Sequence, residues 1–254
     1  MTAKGSNREK SRENAAPANQ PVLGFNNPHD LLAAEASTQW GMFTTGQALR
    51  AGMTRKTLAH LVARHHVEHT DTRGVYRFAG APIDTMLDQT RTNWLALSPK
   101  LFLRERLKAL RNKSLWNDAI VSHLTAANYI YQLAHRQPDT CDYTVKTARR
   151  IRAHEVQFFT RANKPQWELI DGLPVTTIPQ TIADLYADDL DQGHLGEIVY
   201  DAMLRRGESL HNIATALDPV TDGRGRETAI RLLEIANAPA EVVTANDLLY
   251  SLGR

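Results

Sequence analysis

The stretch GMFTTGQALRAGMTRKTLAHLVARHHVEHTDTRGVYRF, residues 41–78, decides how the chain is read. Thr44 or Thr45 can cap a short helix carrying Ala48 and Leu49, because a threonine hydroxyl accepts from an N–H that the first helical turn leaves unpaired. Gly52 ends that helix, since glycine takes the left-handed conformation a tight turn demands. Thr54 caps a second helix, in which Leu58, Leu61 and Val62 fall at i, i+3 and i+4 and form one apolar stripe. The other face carries Arg55, Lys56, His60 and Arg64. Val67 and His69 lead into the polar turn Thr70–Gly74, and Val75–Phe78 return as a strand. Two short helices joined at a glycine and followed by a hairpin predict a winged helix-turn-helix, a module that reads DNA.

Charge supports that reading. Residues 41–80 hold six bases (Arg50, Arg55, Lys56, Arg64, Arg73, Arg77) against two acids (Glu68, Asp71), whereas the whole chain carries a net charge of only +2. The positive excess is thus concentrated where DNA would lie. The competing reading is a helical hairpin with an ordinary solvated basic face.

At 254 residues the chain has room for about two domains, each with its own core. A near-neutral balance argues against a protein that coats nucleic acid. Cys141 is the only cysteine, so neither a disulfide framework nor a cysteine-based zinc site can form within one chain, and a reducing cytoplasm is compatible. No apolar run reaches the length of a spanning helix, and no membrane partner is expected. Residues 1–27 are polar, small and proline-containing, with no apolar core of a secretory signal. They are expected to form a disordered leader.

Pro28–Trp40 reads as the first helix of the winged unit, which then spans 28–81. Pro82 marks the exit into a second unit, 82–254. Thr85–Leu97 reads as a joining helix. Pro99–Lys113 is basic and amphipathic: a core-facing helix, a second nucleic-acid contact, or a site for an acidic partner. Ala119–Val121 reads as a strand, and Ser122 as the cap of a helix over 123–135. Strands follow at Thr140–Val145, Glu155–Phe159, Trp167–Ile170 and Leu173–Thr176, the last two joined by the turn pair Asp171-Gly172. Helices are expected over 180–186, 190–206, 208–217, 224–237 and 243–252. The fold class is α+β: a winged helix-turn-helix, then a small sheet, then a helical C-terminal part.

Catalytic motifs are missing. There is no phosphate-binding glycine loop, H-E-x-x-H pair or EF-hand loop, so no cofactor or metal is expected and no residue is assigned a catalytic role. His65-His66 lacks carboxylates at ligand spacing. Ser122-His123 is adjacent, and neighbours on a helix do not face each other, so a capping serine beside a packed histidine is expected. Asp184, Asp188, Asp189 and Asp191 are carboxylates that a magnesium-dependent nuclease could use, although no lysine follows at short spacing.

Several motifs resemble one family. Gly41-x-Phe43-Thr44-Thr45, Gly52 and Arg73-Gly74-Val75-Tyr76-Arg77 resemble the winged helix of the AbiEi-type antitoxins. AIVSHLTAANYIYQL (119–133), Tyr143–Arg152 and IDGLPVTTIPQTIADL (170–185) resemble three later elements of that family. Gln180-Thr181 departs from it, standing where the family has Arg-Thr. The resemblance covers about residues 28–217. It implies a cytoplasmic antitoxin of a type IV toxin–antitoxin, or abortive-infection, system. The winged unit would bind inverted repeats in double-stranded operator DNA and repress its own operon. The second unit would counter a nucleotidyltransferase-like toxin. The alternatives are a stand-alone regulator whose second unit dimerises or binds a ligand, and the nuclease.

On the DNA reading, Thr54, Arg55, Lys56, Thr57 and His60 face the major groove, with Arg55 or Lys56 the candidates for guanine. Thr44, Thr45 and Arg64 hold phosphates, and Arg73 and Arg77 touch backbone or minor groove from the wing. Arg104, Arg106, Arg149, Arg150 and Arg152 are candidates for a partner.

Overall fold

The computed structural model describes residues 27–112, 116–133, 137–147 and 155–251. Residues 1–26 of the expected leader, and Arg149, Arg150 and Arg152, lie outside the described residues, while Asn27, its last residue, caps the first helix. The chain is a mixed α+β protein with eleven helices and two sheets among the described residues.

Helix α1 (Pro28–Ser37) starts where the Asn27 side chain accepts from His29 N–H, with Pro28 preset for the first helical position. Trp40 and Gly41, both at positive φ, turn the chain into β1 (Met42–Thr44). Thr44 then caps α2 (Thr45–Arg50): its hydroxyl accepts from Gln47 N–H, and the Gln47 side chain accepts from Thr44 N–H. Gly52, at φ +98°, makes the turn to α3 (Arg55–Ala63), which Thr54 caps. β2 (Val67–His69) and β3 (Val75–Phe78) form the hairpin, and β3 lies between β1 and β2 with both neighbours antiparallel. β1 was not anticipated from sequence. It pairs Phe43 with Tyr76, whose rings stack 5.7 Å apart. Leu32, Ala36, Phe43, Ala48, Leu58 and Val67 fill this core, together with Phe102 from well past the hairpin.

Phe102 is there because the segment after α4 (Asp88–Leu97) is hydrogen-bonded to two buried glutamines. Gln47 Nε2 donates to Leu101 O (2.7 Å), and Gln39 Oε1 accepts from Leu103 N–H (3.2 Å). Gln39 Nε2 bridges Met42 O and Gln47 Oε1. Thr44 Oγ1 donates to Pro99 O. The amide groups are thereby satisfied without water, the condition for burying them. Outside, Arg50 grips Glu105 with two bonds of 2.6 Å, and Arg104 pairs with Glu35.

The second sheet runs β6 (Val156–Thr160), β5 (Cys141–Val145), β4 (Ile120–Val121), β8 (Leu173–Thr176), β7 (Trp167–Ile170). The β5/β6 and β4/β8 pairs are parallel and the others antiparallel. Every residue of β5 is buried. Asp171 and Gly172, both at positive φ, close the β7–β8 turn as expected. A Cβ on Gly172 would sit 3.1 Å from the Trp40 indole, whose Nε1 donates to Asp171 O (2.6 Å). α5 (Leu103–Arg111) packs its Leu107 and Leu110 inward. The C-terminal part contains α7 (Ile178–Ala187), α8 (Gln192–Arg206), α9 (Leu210–Leu217), α10 (Gly225–Ile235) and α11 (Ala240–Ser251).

The helix expected over 123–135 is corrected. It is a short turn, α6 (His123–Thr125), running into a π-helical turn over Ala126–Ile130, and Gln132 is left-handed at φ +55°. Ser122 does not cap it. Its Oγ accepts from Thr144 (2.9 Å) and lies 2.8 Å from His123 Nδ1. The two neighbours meet because His123 is at φ +52°, outside helical geometry.

Candidate nucleic-acid interface

α3 turns by about 100° per residue, so its residues divide into faces. Leu58 is buried and Leu61 half-buried against the core. Arg55, Ala59, Val62 and Ala63 line one flank, across a cleft from the hairpin. The far wall of the cleft is His69, Arg73, Gly74 and Tyr76, and Thr45 at the start of α2 closes one end. Lys56, Thr57, His60 and Arg64 point elsewhere on the exposed side of the helix. Among the described residues no side chain pairs with Arg55, Lys56, Arg64 or Arg73, and all four are exposed. Thr54 and Thr57 hydroxyls lie 2.9 Å apart at the first turn. Four exposed cations without a carboxylate partner, at α3 and the hairpin turn, leave a local positive potential that favours an anionic ligand.

Two residues expected at the interface are instead committed inside the protein. Thr44 is 1% exposed, and its hydroxyl is used by Gln47 N–H and Pro99 O. Arg77 pairs with Asp88, with 11% of its side chain exposed. The hairpin is thus anchored rather than free. Thr72 Oγ1 also reaches Thr92 Oγ1 (2.8 Å) and donates to Asn93 Oδ1 (3.0 Å) on α4. No periodicity marks Asp88 or Thr92 as partners of the hairpin, so sequence could not separate Arg73 from Arg77.

Among the candidate partner residues, Arg106 is corrected. It is fully buried, forms two bonds to Asp118 (2.6 and 2.7 Å), donates to Trp94 O (2.6 Å) and lies 3.2 Å over the Trp94 ring. Arg104 keeps half of its side chain exposed while pairing with Glu35.

The aspartates near α7 are structural supports. Asp184 accepts from Arg161 and, at 2.9 Å, from Gln180. Burial nevertheless raises its carboxyl above the usual range. Asp188 lies 3.2 Å from His123 Nε2, and Asp191 caps α8 through His194 N–H. His123 stacks on Phe159 with centroids 3.5 Å apart. Ser122 is wholly buried, which leaves its Oγ no path to a substrate. Among the described residues no group of three His, Cys, Asp or Glu side chains is placed to hold a metal, and no helix is long and apolar enough to cross a membrane.

No curated protein matches the chain. Among solved structures, the crystal structure of RV2827C protein from Mycobacterium tuberculosis aligns with 85% of this chain and 80% of that chain, at 16% identity and a TM-score of 0.46. Over residues 30–79, from α1 through the hairpin, the chain matches the family model described as "Transcriptional regulator, AbiEi antitoxin", the family its motifs resemble.

Proposed function

We propose that the protein is an antitoxin of a type IV toxin–antitoxin system that also represses its own operon. The unit α1–β3 is a winged helix-turn-helix: α2 and α3 are the helical pair, and β2–β3 is the wing. Residues 28–81 read inverted repeats in the promoter, and 82–254 counter a nucleotidyltransferase-like toxin. The segment 99–105 touches both. The observation that carries the DNA reading is the set of exposed, unpaired cations on α3 and the wing turn, inside the stretch that matches the regulator family. Phosphate neutralisation by such side chains supplies most of the affinity for duplex DNA. No catalytic role is assigned to any residue.

A second reading is a regulator without antitoxin activity. It is favoured by one fact: the family match ends at residue 79. The test uses the full chain. The neighbouring gene is expressed in a bacterial host with the wild type or with Lys56→Ala/Arg73→Ala. Expression of a reporter from the chain's own upstream region is measured in parallel. Rescue of growth by both forms, with derepression only in the variant, supports the two-role reading. A toxic neighbour that neither form counters, with repression intact, replaces it with the plain regulator. A wild type that does not repress removes the operator role.

A further inference from the structure

The cleft between α3 and the wing has one arginine on each wall. Arg55 stands on the helix side and Arg73 on the wing side, with the Thr45 hydroxyl at one end and no carboxylate along the lining. The rest of the lining includes Leu58, Ala59, Val62 and Tyr76, which offer no hydrogen bonds from side chains except the Tyr76 hydroxyl. Gly74 brings the wing backbone near Thr45, since a Cβ there would lie 3.7 Å from Thr45 Oγ1.

A helix in the major groove and a wing beside it in the next minor groove must straddle whatever separates those grooves. In a duplex that is one sugar–phosphate strand. We infer that a single DNA backbone strand runs through this cleft, held by Arg55 and Arg73, so that Arg55 contacts phosphate while Lys56 and His60 read bases. Thr45, whose N–H and hydroxyl both donate to Gly74 O (2.9 and 3.3 Å), fixes the wing at the end of the cleft. The inference rests on the DNA-binding reading above and deepens it.

The helical faces support this division. Lys56, Ala59, His60 and Ala63 centre on the side of α3 opposite Leu58 and Leu61, which is the side that meets the groove floor when the helix lies along it. Arg55 and Val62 lie on the flank toward the wing. Thr57 and Arg64 lie on the opposite flank, toward the other strand. Lys56 can donate to guanine O6 and N7, while the small Ala59 and Ala63 leave room for thymine methyl groups. Arginine also suits the strand role, because its planar donors fit phosphate oxygens.

The test measures binding of the full chain to a labelled duplex from its own upstream region and to a scrambled duplex of equal length. Arg55→Ala and Arg73→Ala should weaken both duplexes in parallel, by about five- to tenfold, keep the ratio between them, and reduce the salt dependence by about one phosphate each. Arg55→Lys should restore most of the loss, because a point charge still serves a phosphate. Lys56→Ala should collapse the ratio. If Arg55→Ala collapses the ratio, and Arg55→Lys does not restore it, Arg55 reads a base and the cleft assignment is overturned while DNA binding stands. If the wild type binds neither duplex, the DNA-binding reading itself falls. All three side chains are exposed, so circular dichroism of each variant should match the wild type.

Discussion

The arginines of α3 and the wing turn stand in water unpaired, whereas those behind them are consumed inside the protein. Arg55, Arg64 and Arg73 are exposed with no carboxylate partner among the described residues. Arg91 and Arg106 are buried, each over a tryptophan ring and each paired with an aspartate. The residue type is the same, but the surroundings assign opposite work. A buried guanidinium paired with a carboxylate holds elements of the fold in register, and losing it strands that carboxylate. An exposed guanidinium with every donor free contributes little to stability, and its retained charge serves something outside the chain.

That contrast is open to attack by mutation. Arg106→Ala should be the most damaging substitution. It leaves the Asp118 carboxylate without its cation and should cost about 3–5 kcal/mol, read by urea unfolding. Restoring much of the loss with Arg106→Met/Asp118→Leu would sharpen the point, because the penalty would then belong to the orphaned charge. A loss below about 1 kcal/mol for Arg106→Ala alone would break the comparison.

Next comes Trp40→Ala. It removes the bond to Asp171 O, the edge contact with Trp94 (6.4 Å) and the ring beneath Arg91. About 2–3 kcal/mol should be lost, and a thermal midpoint within a degree or two of wild type would count against it. Thr44→Ala should cost about 1–2 kcal/mol through the lost cap, while the folded variant keeps the wild-type affinity for DNA. A selective loss of DNA affinity would mean that Thr44 reaches phosphate after all.

A pH effect separates the buried carboxyls from the exposed ones. Burial raises the Asp142 carboxyl above its ordinary value, so the folded chain keeps a proton there that the unfolded chain releases. Its contribution to stability is full below the ordinary value of about 4 and is lost as pH rises through the raised folded value. Asp142→Asn should flatten that decline in unfolding free energy as pH rises above about 4. Asp184, raised for the same reason, leaves a residual slope. Last and smallest is Lys56→Ala, which should change stability by no more than about 0.5 kcal/mol although DNA discrimination suffers. A larger loss on unfolding would show that Lys56 has an internal partner.

The parts of the fold that were legible in sequence are those carried by local chemistry. Threonine caps at Thr44 and Thr54, the Gly52 turn and the Asp171-Gly172 hairpin all act within a few residues of themselves. β1 was missed because three residues between a turn and a helix carry no period, although Phe43 beside two threonines has strand character. The π-helical turn was missed because Ala126-Ala127 reads as ordinary helix. Its departure comes from His123 at positive φ and from Asp142, whose N–H donates to Thr125 Oγ1. Arg106 and Arg77 were misplaced for a related reason. Their acids, Asp118 and Asp88, are brought to them by tertiary packing, and an alternating basic helix looks the same whether one of its arginines faces water or a buried carboxylate. The exposed cations on α3 were legible because the apolar stripe fixes the core side of that helix.

The two buried glutamines have a bearing on inheritance. Gln39 and Gln47 bond to backbone groups of residues 101 and 103, and Phe102 completes the core beside α1–α3. A chimaera joined at residue 81 would receive a foreign segment where Pro99–Leu103 belongs, leaving amides unsatisfied and a hole the size of a phenylalanine ring. Recombination between related genes can therefore exchange α1–β3 only together with the strap behind it, so that the chain up to about residue 110 would travel as one cassette.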